Sequence, residues 1–212
     1  MVTDKPPTGA KTRLLDAALS VIRTQGYSAT TVDDLCRAAG VTKGGFFHHF
    51  ESKEALAISA AGHFSSMADH LFSTAPYQKF SDPLDRLLGY VDFRKAILQG
   101  ELPEFTCLLG TMVQEAYETH PGIREACEKG IGVHLVMLET DVTEAMRKYI
   151  PRSDRGCEWT AESLALHMQA VIQGAFILAK AKGGREVAVA CIDHLRRYLE
   201  LLFNPPEGKA AA

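Results

Sequence analysis

Apolar residues recur every three or four positions along almost the whole chain, which is the spacing of one face of an α-helix. Leu15, Ala18 and Ile22 form such a stripe ahead of Gly26, a residue type that commonly follows the last turn of a helix. No segment alternates apolar and polar residues as a strand does. Glycine, proline and capping residues divide the pattern into nine predicted helices, at about residues 14–25, 32–39, 42–50, 52–72, 82–100, 103–118, 121–149, 160–183 and 185–203. The predicted fold class is therefore all-α.

The second and third helices are short and almost consecutive. Thr31 can cap the second helix, and Asp34 stands three residues later, where a carboxylate can reach back to the cap. Gly40 ends that helix after two turns, and Thr42 can cap the next one at once. Residues 32–50 are thus predicted to form a helix, a tight turn and a second helix.

The third helix has an apolar anchor and a polar outer face. Phe46 and Phe50 are four residues apart and share the side that would pack on the preceding helices. The residues that fall away from this side are Lys43, Gly44, Phe47 and His48. The adjacent Gly44 and Gly45 each cost about 1 kcal/mol relative to alanine inside a helix, which a chain tolerates where its backbone must approach another molecule. A helix N-terminus with a lysine and imidazoles suits phosphate contact, and a glycine-weakened surface helix is the alternative interpretation.

Four segments carry a resemblance to a known family. They are Thr30–Leu35, Ala38–Gly44, Phe46–Phe50 and Ser52–Leu56, and in sequence and spacing they resemble the DNA-binding domain of TetR-family transcriptional regulators. The resemblance implies an N-terminal three-helix helix-turn-helix domain, at residues 9–56, and a six-helix ligand-binding and dimerisation domain, at residues 57–204. It implies a homodimeric repressor that a small-molecule inducer releases from a palindromic operator, with no cofactor.

The resemblance also assigns DNA contacts to individual positions. These are Thr31, Thr42, Lys43, Gly44, Phe47, His48, His49 and Lys53, with Thr31 and Lys53 on phosphates and the others along a recognition helix in the major groove. Two positions depart from the family pattern. Phe47 stands where a tyrosine is usual, so one hydroxyl contact is missing, and Gly45 lacks a side chain that could read a base.

The last two predicted helices suit a subunit interface, because they are apolar on more than one face. One face of the penultimate helix consists of Leu164, Met168, Val171, Ile172, Ala175 and Ala179, and the last helix continues the pattern with Leu195, Tyr198, Leu199 and Leu202. The resemblance implies that these helices pair across a dimer in an antiparallel four-helix bundle. A buried core helix in a monomer is the alternative.

The inducer site is expected on the inner faces of the C-terminal helices. From helical face and family plan, its residues are Phe64, Met67, Tyr90, Phe93, Cys107, Thr111, Met137 and Gln173. A closed, well-packed C-terminal domain would instead favour an architectural DNA-binding protein without a ligand.

Cys107 supports a second hypothesis for the inducer. The segment from Cys107 to Gly110, with Glu115, Ile123–Arg124 and Lys129–Gly130, resembles a subgroup that includes repressors sensing reactive electrophiles through a cysteine at this position. By similarity Lys180 is the lysine that participates in such sensors, and a nearby ammonium would favour the reactive thiolate. Non-covalent ligand binding is the leading expectation and thiol sensing the alternative. Among the other cysteines Cys36 is expected in the core, and no local feature favours reactivity of Cys127, Cys157 and Cys191.

Composition and charge exclude several other classes of protein. With 46% hydrophobic and 23% charged residues, the chain is not intrinsically disordered. The net charge of -3 is the sum of a charge of +1 on residues 1–56 and a charge of -4 on the remaining residues. No apolar signal core opens the chain, and the apolar stretch Leu164–Ala179 is interrupted by polar residues, so we expect a cytoplasmic protein without a membrane partner. Motifs of hydrolases, nucleotide-binding enzymes and zinc sites are missing, so neither an enzyme nor a metal site is expected.

Overall fold

The computed structural model describes residues 9–150 and 159–203. Every regular element in these two ranges is helical, which confirms the all-α class. A single 3-10 turn lies at Pro76–Lys79. The α-helices are α1 Ala10–Gln25, α2 Val32–Ala39, α3 Lys43–His49, α4 Lys53–Ser73, α5 Pro83–Ala96, α6 Leu102–Phe105, α7 Leu108–Ala116, α8 Pro121–Tyr149, α9 Ala161–Lys182 and α10 Glu186–Phe203.

One predicted helix is divided in the structure. The helix expected over residues 103–118 consists of α6 and α7, because Cys107 between them adopts extended backbone angles, φ -81° and ψ 124°. The sulfur of Cys107 then accepts the backbone N–H of Gly110 at 3.4 Å, so the cysteine caps α7. The preceding helix α5 also ends earlier than expected, at Ala96, and Gly100 follows with a φ of 77°. The described chain therefore has ten α-helices where nine were predicted.

The described residues form two compact units. The first contains residues 9–69 and 106–131, and the second contains residues 70–105, 132–150 and 159–203. The first unit thus combines the N-terminal helices with α7 and the start of α8. A functional border at residue 56 between a DNA-binding and a ligand-binding domain stays a prediction, because the units are defined by packing alone.

In the first unit, α1 packs against α2, α3 and α7. The core side chains are fully or almost fully buried; they include Leu14, Ile22, Leu35, Phe46, Leu56, Leu108, Met112 and Ile123. Each buried aliphatic or aromatic side chain contributes about 1.5–3 kcal/mol, so this shared core holds the short helices α2 and α3 in place. Neither helix has the length to be stable alone.

In the second unit, α10 packs against both α9 and α5. The buried residues there include Leu87, Tyr90, Leu138, Met168, Ile172, Leu195 and Leu199. Among the described helices α9 has the length and hydropathy of a membrane span, with 44% of its apolar window buried. Packing against α10 accounts for much of that apolar character, as in the core helix of a soluble domain.

Candidate nucleic-acid interface

Thr31 begins α2 with a reciprocal pair of hydrogen bonds. Its hydroxyl oxygen accepts the backbone N–H of Asp34 at 3.1 Å, and its own backbone N–H donates to Asp34 Oδ2 at 3.1 Å. The Thr31 hydroxyl also donates to Asp34 Oδ2 at 2.6 Å. These bonds from Thr31 lower the pKa of Asp34. The capping box is thus formed as the sequence indicates, and a phosphate at Thr31 would have to share a hydroxyl that already has partners.

The two phenylalanines of α3 anchor the helix on the first unit. Phe46 is completely buried and Phe50 is 5% exposed. Between them Phe47 is 51% exposed, with its ring edge-on to the Phe46 ring at 5.1 Å. The expected contact residues Thr42, Lys43, Gly44 and His48 are also exposed, and His49 is partly exposed. The structure therefore presents the predicted DNA-reading positions of α3 on the surface, together with one large apolar ring.

Thr42 caps α3 and closes the turn that precedes it. Its hydroxyl oxygen accepts the backbone N–H of Gly45 at 3.1 Å. A Cβ at Gly45 would lie 2.9 Å from Val41 Cγ1 and 3.3 Å from Thr42 Oγ1, which is too close without movement of Val41. At Gly44 the nearest atom, Thr42 Oγ1, is 4.0 Å away. The absence of a side chain at Gly45 thus has a steric cause, whereas a Cβ at Gly44 would make only an ordinary van der Waals contact.

Lys43 forms an ion pair across the two helices of the motif. Its ammonium lies 3.1 Å from Asp33 Oδ1, and both side chains are more than 60% exposed, at 61% and 65%. Surface ion pairs of this kind contribute about 0–1 kcal/mol, so a phosphate can replace the carboxylate at little cost.

Lys53 is held inside the first unit by main-chain carbonyls. Its ammonium donates to Tyr27 O at 3.0 Å and to Thr30 O at 2.9 Å, and it lies 4.3 Å from the centre of the Tyr27 ring. Burial lowers the pKa of Lys53. Two of its three N–H donors therefore fix the connection between α1 and α2, a positioning role that the sequence did not suggest. A phosphate contact through the third donor stays a prediction.

Glu115 of α7 and His120, which lies between α7 and α8, hold the same connection. Glu115 Oε2 accepts the backbone N–H of Ser28 at 2.8 Å, and the ring of His120 lies edge-on to Tyr27 at 5.1 Å. Close by, Arg23 Nη1 donates to Thr106 O at 3.2 Å. Sequence reasoning missed these contacts because they join residues far apart in the chain.

The expected inducer residues divide equally between the two units. The first unit contains Phe64, Met67, Cys107 and Thr111, and the second contains Tyr90, Phe93, Met137 and Gln173. Met67 is 51% exposed and Tyr90 is fully buried, whereas the other six are partly buried. Their participation in one ligand site stays a prediction.

Tyr90 is the centre of a buried polar network that the sequence did not reveal. Its hydroxyl lies 2.9 Å from His134 Nε2 and accepts a hydrogen bond from Gln169 Nε2 at 3.1 Å. Burial, together with the charge of Arg94, lowers the pKa of His134 to about 3, so this imidazole is neutral at physiological pH. Gln169 is itself buried, so the network is enclosed within the second unit.

The described cysteines differ in accessibility. Cys36 and Cys127 are buried, and burial raises the pKa of both thiols, that of Cys127 to about 12. Cys107 and Cys191 are partly exposed, while Cys157 lies outside the described residues. Cys107 belongs to the first unit and the exposed Lys180 to the second, so the sensor pair implied by similarity stays a prediction. No group of three or more His, Cys, Asp or Glu residues in the described ranges could hold a metal ion.

Comparisons with known proteins agree with the helix-turn-helix geometry. The sequence model for bacterial regulatory proteins of the tetR family matches residues 14–60. The chain is 45% identical over 49 residues to the HTH-type transcriptional repressor KstR2 of Rhodococcus jostii, covering 23% of this chain and 24% of that protein. It is 32% identical over 108 residues to the HTH-type transcriptional repressor DhaR of Mycobacterium sp., covering 51% and 52%. The matched regions thus span from a quarter to about half the length of these relatives.

Solved structures extend the likeness to almost the whole chain. A TetR transcriptional regulator from Chloroflexus aurantiacus superposes with a TM-score of 0.76 at 25% identity, covering 90% of this chain and 93% of that one. The reduced form of Escherichia coli NemR gives a TM-score of 0.74 at 19% identity over 89% and 95% of the two chains, which shows a shared fold. Residues 14–60 thus form a DNA-binding domain of the TetR family, with both helices of the helix-turn-helix capped, and the chain shares the fold of TetR-family transcriptional regulators.

Proposed function

We propose that the protein is a homodimeric transcriptional repressor that binds an inverted-repeat operator through α3 and releases it when a small-molecule inducer binds. The observation that carries this proposal is the arrangement of α3. Phe46 and Phe50 fix the helix on a rigid core, while Lys43 and His48 face solvent. Rigid attachment of a recognition helix is what base reading in a major groove requires.

An exposed apolar face supports dimerisation. Side chains that are 44–55% exposed follow α9 and α10 within the second unit; they are Leu166, Ile177, Leu178, Tyr198 and Leu201. Isolated monomers rarely leave a continuous row of large apolar side chains in water. A second copy of the chain would cover these residues and would place two recognition helices about 34–36 Å apart, one turn of DNA.

Contacts within the first unit connect α7 with the DNA-reading helices, so that movement of α7 could release DNA. Glu115 on α7 and His120 just after it hold Ser28 and Tyr27, which precede the DNA-reading helices. An inducer that favours a different position of α7 would therefore disturb the α1–α2 connection. Such a ligand changes operator affinity only through its different affinities for the two states.

Repression is proposed by analogy with two named relatives, KstR2 and DhaR, which are both transcriptional repressors. The thiol-sensing alternative rests on Cys107, which is partly exposed and caps α7. Non-covalent release is the simpler proposal, since α7 contacts the α1–α2 connection whether or not Cys107 reacts.

Genomic footprinting with the purified full chain tests the proposal. We expect protected sites with two-fold symmetry, and His48→Ala on α3 should lose this protection. His70→Ala is the matched control, because His70 is also an exposed histidine and lies near the C-terminal end of α4, outside α3. Absence of protected sites, or sites without two-fold symmetry, would contradict the proposal.

The dimer is tested separately by sedimentation of Ile177→Glu. The introduced carboxylate should shift the protein to a monomer and weaken operator binding, while Tyr117→Glu, at an equally exposed aromatic residue in the first unit, should leave the dimer intact. A wild-type protein that sediments as a monomer at operator-binding concentrations would contradict the dimer proposal.

A further inference from the structure

Helix α5 carries three basic side chains, and only one of them lacks an acidic partner. Arg86 Nε donates to Asp141 Oδ1 at 2.8 Å, and its terminal nitrogen also contacts Glu144. Lys95 Nζ lies 2.6 Å from Asp193 Oδ1. Within the described residues, Arg94 has neither an ion pair nor a hydrogen bond, and its Nε atom is buried without any acceptor.

The carboxylates around Arg94 are already used. Asp92, two residues earlier on α5, pairs with Arg196 Nη1 at 3.2 Å, and Asp141 and Glu144 both pair with Arg86. A guanidinium stays charged at any physiological pH and carries five N–H donors. A buried donor without an acceptor is rare in folded proteins, so the unsatisfied Nε of Arg94 points to an acceptor that the chain itself does not provide.

Flat aromatic surfaces surround this guanidinium within the second unit. Its carbon atom lies 4.9 Å from the centre of the Phe72 ring and 5.6 Å from that of Tyr90. The Phe93 ring packs against Phe72 and Tyr77, with centroids 5.8 Å away in each case. Phe72, Tyr77 and Tyr90 are at most 3% exposed, so the partly exposed Phe93 is the ring of this cluster on which a planar apolar group could stack.

The remaining ionisable neighbours do not neutralise Arg94. His134 is uncharged because burial lowers its pKa, and Tyr77 and Tyr90 have raised pKa values, also because of burial. The cluster thus carries one uncompensated positive charge. Arg94 as a whole is only partly buried, so part of the residue is in contact with solvent.

From this combination we infer that Arg94 binds the carboxylate of an aromatic acid, whose ring stacks against the partly exposed Phe93 beside the buried rings of Phe72, Tyr77 and Tyr90. A carboxylate can accept two parallel hydrogen bonds from one edge of a guanidinium, which includes Nε. The inference names a chemical class for the inducer, and in that respect it rests on the proposed function. The binding step itself depends only on the residues of the second unit.

Binding is tested by calorimetry and thermal unfolding of the full chain with naphthoate and phenylacetate, each beside its neutral amide. At least one acid should bind and raise Tm, while its amide should not. Arg94→Gln should weaken binding of that acid about 10- to 100-fold, the effect of losing hydrogen bonds to a charged group. Arg124→Gln, at an exposed arginine of the first unit, should bind like the wild type. Equal binding of acids and amides, no binding of either acid, or unchanged affinity in Arg94→Gln would overturn the inference.

The stability of Arg94→Gln without ligand separates this role from a structural one. Removal of the unpaired charge of Arg94 should leave Tm unchanged or raise it. A loss of more than about 4 °C, the usual effect of 1 kcal/mol or more in a chain of this size, would mean that stacking of Arg94 stabilises the fold, and would overturn the inference.

Operator affinity, measured on the same proteins, distinguishes the two proposals. If an acid binds through Arg94 but operator affinity stays unchanged, the Arg94 site is supported. The proposal that such an acid releases the operator is then contradicted. Intact operator binding with no Arg94-dependent acid binding would overturn the inference alone, and the repressor proposal would stand.

Discussion

Glu115 on α7 accepts the backbone N–H of Ser28, 87 residues earlier in the chain, at 2.8 Å. The same carboxylate fills the space beside Gly26, where a Cβ would lie 2.3 Å from Glu115 Oε1. Gly26 has a φ of 87°, a conformation that side-chain-bearing residues rarely adopt. One acidic side chain therefore holds Ser28 and occupies the space beside Gly26 in the turn that follows α1.

Glu115→Ala should loosen this turn and weaken operator binding. Loss of the acceptor should cost about 1 kcal/mol in the free energy of unfolding and lower Tm by about 2–4 °C. Glu115→Gln keeps a carbonyl acceptor and should recover most of the loss. Glu118→Ala is the control, because Glu118 is exposed in the same part of the first unit. Equal stability and affinity in the two alanine variants would show that the Ser28 bond contributes nothing.

Lys43→Ala should weaken binding to operator and non-operator DNA alike, since we expect its ammonium to contact a phosphate and not a base edge. The slope of log affinity against log salt should become shallower by about 0.9, the contribution of one phosphate contact. Asp33→Asn frees Lys43 from its 3.1 Å ion pair and should have the opposite effect on affinity. Unchanged affinity and salt slope in Lys43→Ala would remove Lys43 from the interface.

Alanine at the two adjacent glycines of α3 should have unequal effects on stability. Gly44→Ala places its Cβ 4.0 Å from Thr42 Oγ1 without a clash and should raise the free energy of unfolding by about 1 kcal/mol, the propensity difference between the residues. Gly45→Ala should gain less or lose stability, because its Cβ would lie 2.9 Å from Val41 Cγ1. Urea unfolding of both variants measures the difference. Equal gains would show that Val41 moves aside freely.

His134 should make the protein less stable in mild acid. Its pKa is lowered to about 3 in the folded chain, whereas an unfolded histidine has a pKa of about 6.5. Between these values only the unfolded state binds the proton, so the free energy of unfolding falls as the pH decreases from about 6.5 towards 3. From about pH 7 to about pH 5, wild type should lose about 2 kcal/mol more than His134→Gln. His70→Gln, at an exposed histidine, should keep the wild-type dependence.

Cys107→Ser separates the thiol of Cys107 from its structural role. Serine caps a helix at least as well as cysteine, so α7 should remain intact. On the thiol-sensing hypothesis, release of operator DNA by an electrophile such as N-ethylmaleimide should disappear in this variant. Release undiminished in Cys107→Ser would reject Cys107 as the sensor, and the partly exposed Cys191 would be the next described thiol to replace.

The helices could be predicted from the sequence where periodicity and capping agree. Thr31 with Asp34, and Phe46 with Phe50, are local pairs, and local pairs are visible in a sequence. The break between α6 and α7 could not be predicted, because Phe105, Leu108 and Leu109 continue the apolar period across it. A thiol acting as a helix cap is also an uncommon signal.

The candidate sites divide in the same way. The exposed positions of α3 follow from helical spacing alone. By contrast, the carbonyl partners of Lys53 and the unsatisfied Nε of Arg94 depend on residues that folding brings together from distant segments. Partner choice for a long charged side chain is set by the tertiary structure, and the sequence around Lys53 and Arg94 carries no sign of it.

The unequal space at Gly44 and Gly45 bears on how this regulator can evolve. A Cβ at position 44 meets no atom closer than 4.0 Å, so one substitution could add a base contact while the turn and its cap stay in place. A side chain at position 45 would first need a change at Val41. Divergence of operator specificity among descendants of this protein should therefore begin at position 44, and position 45 should vary only together with position 41.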